Sequence, residues 1–365
     1  MRLKTLKVRV KDKHKKELNR QARSVNYVWN YINEISSRAI KERHIYMSAY
    51  DIHPYTKGSA KELGLHSQSV QCIASEYVTR RKQFKKVSLR WRKSMGASKA
   101  LGWIPVNSRA AKFKNGCIFF NGKYFGIWDS FGMSKFSFRA GSFNEDARGR
   151  WYFNVVVEVD NHLSKGDQII GVDLGCKVAA TASNGDMMDK QEYRSLQDDL
   201  RKAQRAGNKK RLRNIHAKIA NRRKDNIHKF TRRLVDSSRA IFVGNINSKQ
   251  MLKTHLAKSV SDAAWGKIKS TLEYKCAYAG VVFDVIDEAF STQTCSNCGE
   301  IPDNSPKGRT GLGMRQWKCA SCDSQNDRDI NAALNIAAAG HRRLAEGILS
   351  LKRGIDVNAP FLRIQ

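Results

Sequence analysis

The spacing of apolar residues changes along the chain, and each change predicts a different kind of element. Leu3, Leu6, Val8 and Val10 are interleaved with basic residues and predict a short strand. From Asp12, read as a helix cap, Leu18, Ala22, Val25, Trp29 and Ile32 recur at helical steps as a core stripe. A second helix is predicted from about Ser67 to Lys93, with Val70, Ile73, Tyr77 and Phe84 on its apolar side and cations on the rest, Arg80, Arg81 and Lys85 among them. From Gly102 to Val159 the period falls to two. CIFF, the turn Asn121-Gly122, YFGIW, KFSF and WYFNVVVEV read as a hairpin-rich β module. The polar stretch Asn161 to Gly166 is the expected boundary.

The second half alternates strands and helices. QIIGVDLG and VAATAS are strands, the latter closed by Asn184-Gly185, and one long helical stretch is predicted from about Lys190 to Asp236. AIFVGN is a buried strand, residues 259–279 an amphipathic helix, and VVFDVI the next strand. Three early strands followed by αβαβ is the order of a ribonuclease H-like fold, so the fold class is mixed α/β.

Charge narrows the partners. Lys and Arg number 67 against 33 Asp and Glu, a formal net charge of +34 spread over the whole chain, which calls for a polyanion; nucleic acid fits best. Between Arg194 and Arg233 cations outnumber acids severalfold on a helical segment. Arg211, Arg213, Arg222, Arg223, Arg232 and Arg233, with Arg80, Arg81 and Lys85, are the expected phosphate contacts. Tyr27, Trp29, Tyr77, Trp91, Trp103 and Trp128 supply aromatics, most of them core and some able to stack bases. No apolar run of about 18 residues and no signal-peptide core occurs, so no membrane partner and a cytoplasmic, nucleoid-associated location are expected.

Two constellations carry chemistry. Cys295-x2-Cys298 and Cys319-x2-Cys322 have the spacing of a four-thiolate Zn2+ ribbon, a closed structural site; Cys72, Cys117, Cys176 and Cys276 are isolated and read as buried thiols. GVDLG puts Asp173 on a buried strand between Gly171 and Gly175, glycines that would let a metal and a phosphate come close. Beyond the ribbon, Asp327 reads as the cap of a helix that carries Asp329 in its first turn.

GVDLG, RRKDNIHKF, AKSVSDAAW, STQTCSNCG and DRDINAALNI together resemble the TnpB family, relatives of the compact type V CRISPR effectors. The resemblance is dense from about 168 to 340 and looser before. It implies an RNA-guided endonuclease, one protein per guide RNA, that cuts double-stranded DNA beside a short flanking motif. It also implies a wedge-like β-barrel (1–12 and 97–166), a helical recognition insert (13–96), a RuvC nuclease domain (167–290 and 326–347) with an inserted zinc ribbon (291–325), and a tail (348–365). Asp173 then matches the first catalytic aspartate and Asp329 the third, with Mg2+ as catalytic metal.

One position departs from the family. Gly244 stands where the family places its catalytic glutamate, at the end of the strand Ile241–Gly244, and no carboxylate lies nearby in sequence. The strand VVFDVI should run parallel beside it and open on the same edge, which makes Glu288 a candidate relocated acid. The alternative is an RNA-guided repressor that binds without cutting.

Overall fold

The computed structural model describes residues 2–108, 110–160, 163–175, 177–189, 196–246, 264–308 and 310–352. The chain forms two compact units, Met1–Asp160 and Asn161–Gln365.

The first unit is built on a curled sheet of seven strands: β1 (Arg2–Val10), β2 (Trp103–Val106), β3 (Ala111–Lys114), β4 (Cys117–Phe120), β5 (Lys123–Trp128), β6 (Phe138–Glu145) and β7 (Trp151–Val159). Their order is β2-β6-β7-β1-β5-β4-β3, antiparallel throughout. Leu6, Val8 and Val10 on one face of β1 are buried, as alternation requires, against Phe120, Phe125, Phe143 and Phe153. Helices α1 (Lys15–Arg43), α2 (Ala49–Ile52), α3 (Ser59–Leu63) and α4 (Ser67–Phe84) complete this core. Asp12 does not cap α1; it lies in a preceding 3-10 turn and pairs with Arg9 at 2.7 Å.

α4 is shorter than its periodicity predicts. It stops at Phe84, where Lys85 turns left-handed at φ 49°. The chain then leaves as a strap along α1, because three α1 asparagines offer its backbone and side chains partners. Asn33 exchanges two hydrogen bonds with the Leu89 backbone and Asn30 two with that of Arg92. Asn26 donates to Ser94 Oγ and accepts from Arg92 Nε. Side-chain amides that mimic a backbone ladder compete successfully with continued helix.

The second unit is a three-layer α/β/α assembly. Its strands β8 (Gln168–Asp173), β9 (Val178–Ala182), β10 (Met187–Asp189), β11 (Ser238–Gly244) and β12 (Val282–Ile286) lie in the order β10-β9-β8-β11-β12. β8, β11 and β12 are parallel, and β9 and β10 antiparallel. The predicted single helix before β11 is two helices: α5 (Gln197–Arg205) and α6 (Lys209–Ser237) fold back at Gly207, φ 59°, burying Leu196, Ala203 and Ile215 between them. Residues 190–195, where that helix was to begin, are outside the described residues.

α7 (Trp265–Ala279) joins α6 on one face; of its predicted span, 259–263 are outside the described residues. α8 (Arg328–Lys352) covers the other face. Alternation along β11 sends Ile241 and Val243 toward α6 and α7, and Ala240 and Phe242 toward α8. Gly171 is explained here: a Cβ on it would collide with the Ala333 carbonyl of α8. Its work is helix-on-strand packing, which corrects the reading of Gly171 as room for a ligand. Gly175 likewise faces a carbonyl, that of Val178 at 2.8 Å from an added Cβ.

Between β12 and α8 a two-stranded hairpin, β13 (Gln316–Lys318) and β14 (Gln325–Asp327), carries the cysteines. Of the four isolated cysteines, Cys276 is buried, Cys72 and Cys117 are only partly so, and Cys176 is outside the described residues. The expected tail at 348–365 falls outside the described residues from 353 on.

Candidate active site and four-cysteine ribbon

Sheet register brings the carboxylates to one edge. Val172 of β8 is level with Val243 of β11, and Gly244 is level with Ile286 of β12, so Asp173, Gly244 and the residues just past Ile286 share the carboxyl end of three parallel strands. Open α/β sheets bind their ligands at this end. α8 packs so closely on Gly171 that its first turn, with Asp329, reaches the same edge.

Glu288 takes the space vacated at Gly244. Its Oε2 lies closer than van der Waals contact to the point where a Cβ on residue 244 would stand, and its own Cβ is 3.3 Å from that point. Oε2 is buried and has no hydrogen-bond partner. Burial raises the Glu288 carboxyl above its ordinary value, opposed by the positive charge of Lys269 and reinforced by Asp287.

Asp173 carries the larger perturbation. Burial, then the negative charges of Glu288 and Asp329, push it up to about 7, against a smaller opposing pull from Arg328. Carboxylates this close raise one another's pKa, and a nearby divalent cation would reverse that effect. The donor set, hard oxygens only, suits Mg2+.

Asp329 is held apart. Its Oδ2 accepts from Arg315 at 2.6 Å and its Oδ1 from Arg328 at 3.3 Å. Among the described residues, the only group of three or more His, Cys, Asp or Glu with all ligand atoms within 4.8 Å is the cysteine cluster. Asp327 caps α8, accepting from the backbone N–H of Asp329 and Ile330.

The cysteines are Cys295, Cys298, Cys319 and Cys322. Sγ separations are 3.8 Å for Cys295–Cys322 and 3.7 Å for Cys298–Cys319. A tetrahedron with Zn–S bonds of about 2.3 Å has edges of about 3.8 Å, so the cluster fits Zn2+ with little movement. Side-chain donors surround the thiols: Asn297 and Asn326 reach Cys322 and Cys295 at 3.6 Å, and hydrogen bonds from Ser324 and Asn297 draw the Cys322 thiol down to about 6.

Sequence reasoning missed what fastens this ribbon to α8. Asn331 accepts from Ser296 N at 2.8 Å and donates to Thr294 O at 2.7 Å; Asn335, one turn on, donates to Ser291 O and Thr294 O. Two asparagines at i and i+4 just after the second knuckle were the available signal.

The expected phosphate contacts divide. Arg81 is a correction. It is 2 % exposed, donates to Ser36 Oγ at 2.5 Å and to Met47 O at 2.8 Å, and stacks on Tyr46, so it is a core strut. Arg80 is exposed but pairs with Glu76 at 2.7 Å, an acid one turn back. Lys85 and Arg213 are exposed, and Arg222 and Arg223 are half-buried. Arg211, Arg232 and Arg233 are exposed and reach Asp199, Asp236 and Asp186.

Comparison with known proteins agrees with these motifs. A model described as a probable transposase matches residues 152–255, and the Cas12f1-like TNB domain model matches 265–336. A putative RNA-guided DNA endonuclease of Streptomyces pristinaespiralis is 33% identical over 213 residues, covering 54% of this chain and 52% of that protein. The putative RNA-guided DNA endonuclease InsQ of Escherichia coli K12 is 26% identical over 230 residues, covering 54% and 56%. The chain thus spans about half the length of these curated relatives. In fold it is similar to Cas12f1 in the cryo-EM structure of a Cas12f1–sgRNA–target DNA complex, with a TM-score of 0.57 over 90% of this chain and 83% of that one at 13% identity. The two model matches, 152–255 and 265–336, take in the elements that carry Asp173, Gly244, Glu288, Asp329 and the four cysteines, so the similarity to these proteins covers the candidate site.

Proposed function

We propose that this protein is an RNA-guided DNA endonuclease that cuts double-stranded DNA next to a short flanking motif, with Asp173, Glu288 and Asp329 as its catalytic acids. The observation that carries the reading is the carboxylate of Glu288 in the space that a side chain at 244 would need. The order β10-β9-β8-β11-β12, with three parallel strands and acids at their carboxyl ends, supports a ribonuclease H-like RuvC domain, and the first unit's curled sheet and helices support a wedge and recognition insert. The net charge of +34 supports a nucleic-acid partner, here guide RNA and DNA target.

The three acids would hold two Mg2+. When bound, these lower the pKa of the attacking water and offset charge on the leaving oxygen. Asp173 supplies the central carboxylate from a rigid strand. Glu288 supplies from β12's end what β11 lacks, and its burial keeps bulk water off one side. Asp329, now paired with Arg315, would be the third carboxylate to hold the metal, and Arg315 would then be placed to meet a phosphate. The four cysteines would hold a structural Zn2+ with no open position, keeping Arg315 and the 291–296 loop in place.

The test is Mg2+-dependent cleavage of a guide-matched plasmid library with a randomised flank by the RNA-bound protein. Wild type should cut and Asp173→Ala should bind without cutting. Binding without cutting by wild type would make the protein a repressor.

A further inference from the structure

The strap that follows α4 does more than cross the surface of α1. Exposure alternates along it from Trp91 to Met95. Arg92 and Ser94 turn inward: Arg92 donates to Asn26 Oδ1 at 2.7 Å and to Leu101 O at 2.8 Å and lies over the rings of Trp29 and Trp103. Trp91, Lys93 and Met95 turn outward, and Trp91 is 53 % exposed. Such a large apolar ring is not exposed for want of a core, since the same strap buries Arg92 below it.

Trp91 is the wall between two depressions. One, about 500 Å³, lies toward Phe84, Arg90 and Lys99; the other, about 560 Å³, toward Arg23, Tyr27 and Lys93. Both are in the size range of small-ligand sites. Phe84 and Tyr27 are themselves more than half exposed, so each depression has an aromatic face besides Trp91. Neither Arg90 nor Lys93 has a carboxylate partner among the described residues.

We propose that the strap is a stacking site for unpaired RNA, in which Trp91 intercalates between two bases seated in these depressions while Arg90 and Lys93 contact the flanking phosphates. Aromatic faces beside unpaired cations are the chemistry that holds single strands, since every base has a π-face and duplexes keep theirs stacked inside. The choice of RNA over single-stranded DNA rests on the proposed function, in which RNA is the resident partner: a surface fixed by the asparagine ladder before any ligand arrives suits a resident strand. Preorganisation of this kind lowers the ordering cost of binding.

The test uses the full-length chain and three 12-nucleotide probes, rA12, dA12 and a mixed-sequence duplex, followed by fluorescence anisotropy. Trp91→Ala should weaken rA12 binding by on the order of tenfold or more, with much smaller losses on dA12 and the duplex, and Trp91→Phe should restore most of it. Arg90→Ala with Lys93→Ala should flatten the salt dependence on rA12. Equal binding of rA12 by wild type and Trp91→Ala overturns the site, as does an equal loss on the duplex. An equal loss on dA12 overturns the assignment to RNA. No guide and no cleavage are needed, so either failure leaves the nuclease reading untouched.

Discussion

Glu288 and Gly244 claim one volume: the Glu288 carboxylate enters the space in which residue 244 would carry its first side-chain carbon. The glycine is therefore the condition under which a glutamate from the next strand can reach the site edge. Ile336 Cδ1, 3.2 Å from the same point, borders the space from α8.

Gly244→Ala should thus injure the site without touching a carboxylate. The added methyl displaces Glu288, and cleavage should fall by at least about tenfold, as for loss of an outer-shell partner of a metal ligand, while affinity for guide RNA stays within twofold or so of wild type. Wild-type cleavage by Gly244→Ala would mean that Glu288 is not needed where it sits.

Asp173 ties the site to pH. Its ordinary value of 3.8 is pushed up to about 7 in the folded protein, chiefly by burial and then by Glu288 and Asp329. A carboxyl raised on folding favours the folded state while protonated; that advantage is lost as pH rises from its unfolded value through its folded value. Chelator-treated protein should therefore melt lower at pH 8 than at pH 5.5. Asp173→Asn should remove this part of the slope, and Mg2+ should raise Tm more at pH 8 than at pH 5.5. Calorimetry that finds the same Mg2+ effect at both pH values contradicts this.

The ribbon should depend on its metal. Trp317 is 6 % exposed in a small cluster with Cys295 and Cys319, too few apolar groups to hold a fold alone. Stripping zinc, or Cys319→Ser, should red-shift Trp317 emission relative to a Trp317→Phe control and release about one zinc per chain by atomic absorption. Asn331→Ala should retain the zinc yet lower cleavage, since it loosens only the ribbon's attachment to α8. Loss of zinc from Asn331→Ala would contradict that division.

Arg81 and Arg80 are neighbours in sequence with opposite roles. Arg81→Ala should destabilise the first unit by about 2–4 kcal/mol, by removing charged hydrogen bonds and leaving a cavity, and Arg80→Ala should cost less than about 0.5 kcal/mol. Urea melts of the two variants check this; equal small losses would return Arg81 to the surface.

Much of this architecture is legible in the residues. Period-two alternation marks the strands of the first unit, and CxxC spacing brings together four thiols that contacts between distant residues then position. The match of Gly244 with Ile286 follows from parallel pairing, so the neighbourhood of Glu288 was readable too. What was not legible depends on partners remote in sequence. Nothing local says that α4 must stop at Phe84, because the asparagines that capture the strap lie 56 to 68 residues back in α1. Arg81 looks like any other cation until Ser36 and the Met47 carbonyl close around it. Gly171 sits beside a candidate catalytic aspartate, but its reason is a helix backbone 162 residues later, the Ala333 carbonyl. The hinge at Gly207 was within reach, since a glycine followed by asparagine interrupts an otherwise strong helical stretch.

The most direct test of the account exchanges the two positions. Guide-directed plasmid cleavage should be compared for wild type, Glu288→Ala, Gly244→Glu, and Gly244→Glu combined with Glu288→Ala, each with its guide affinity measured. Glu288→Ala should lose at least about 100-fold, beyond the range for outer-shell losses, and Gly244→Glu alone should lose activity because two side chains meet in one space. The combined variant should recover a substantial part of the wild-type rate, one carboxylate again filling the site from either strand. Undiminished cutting by Glu288→Ala would contradict the claim that this glutamate is the second catalytic acid.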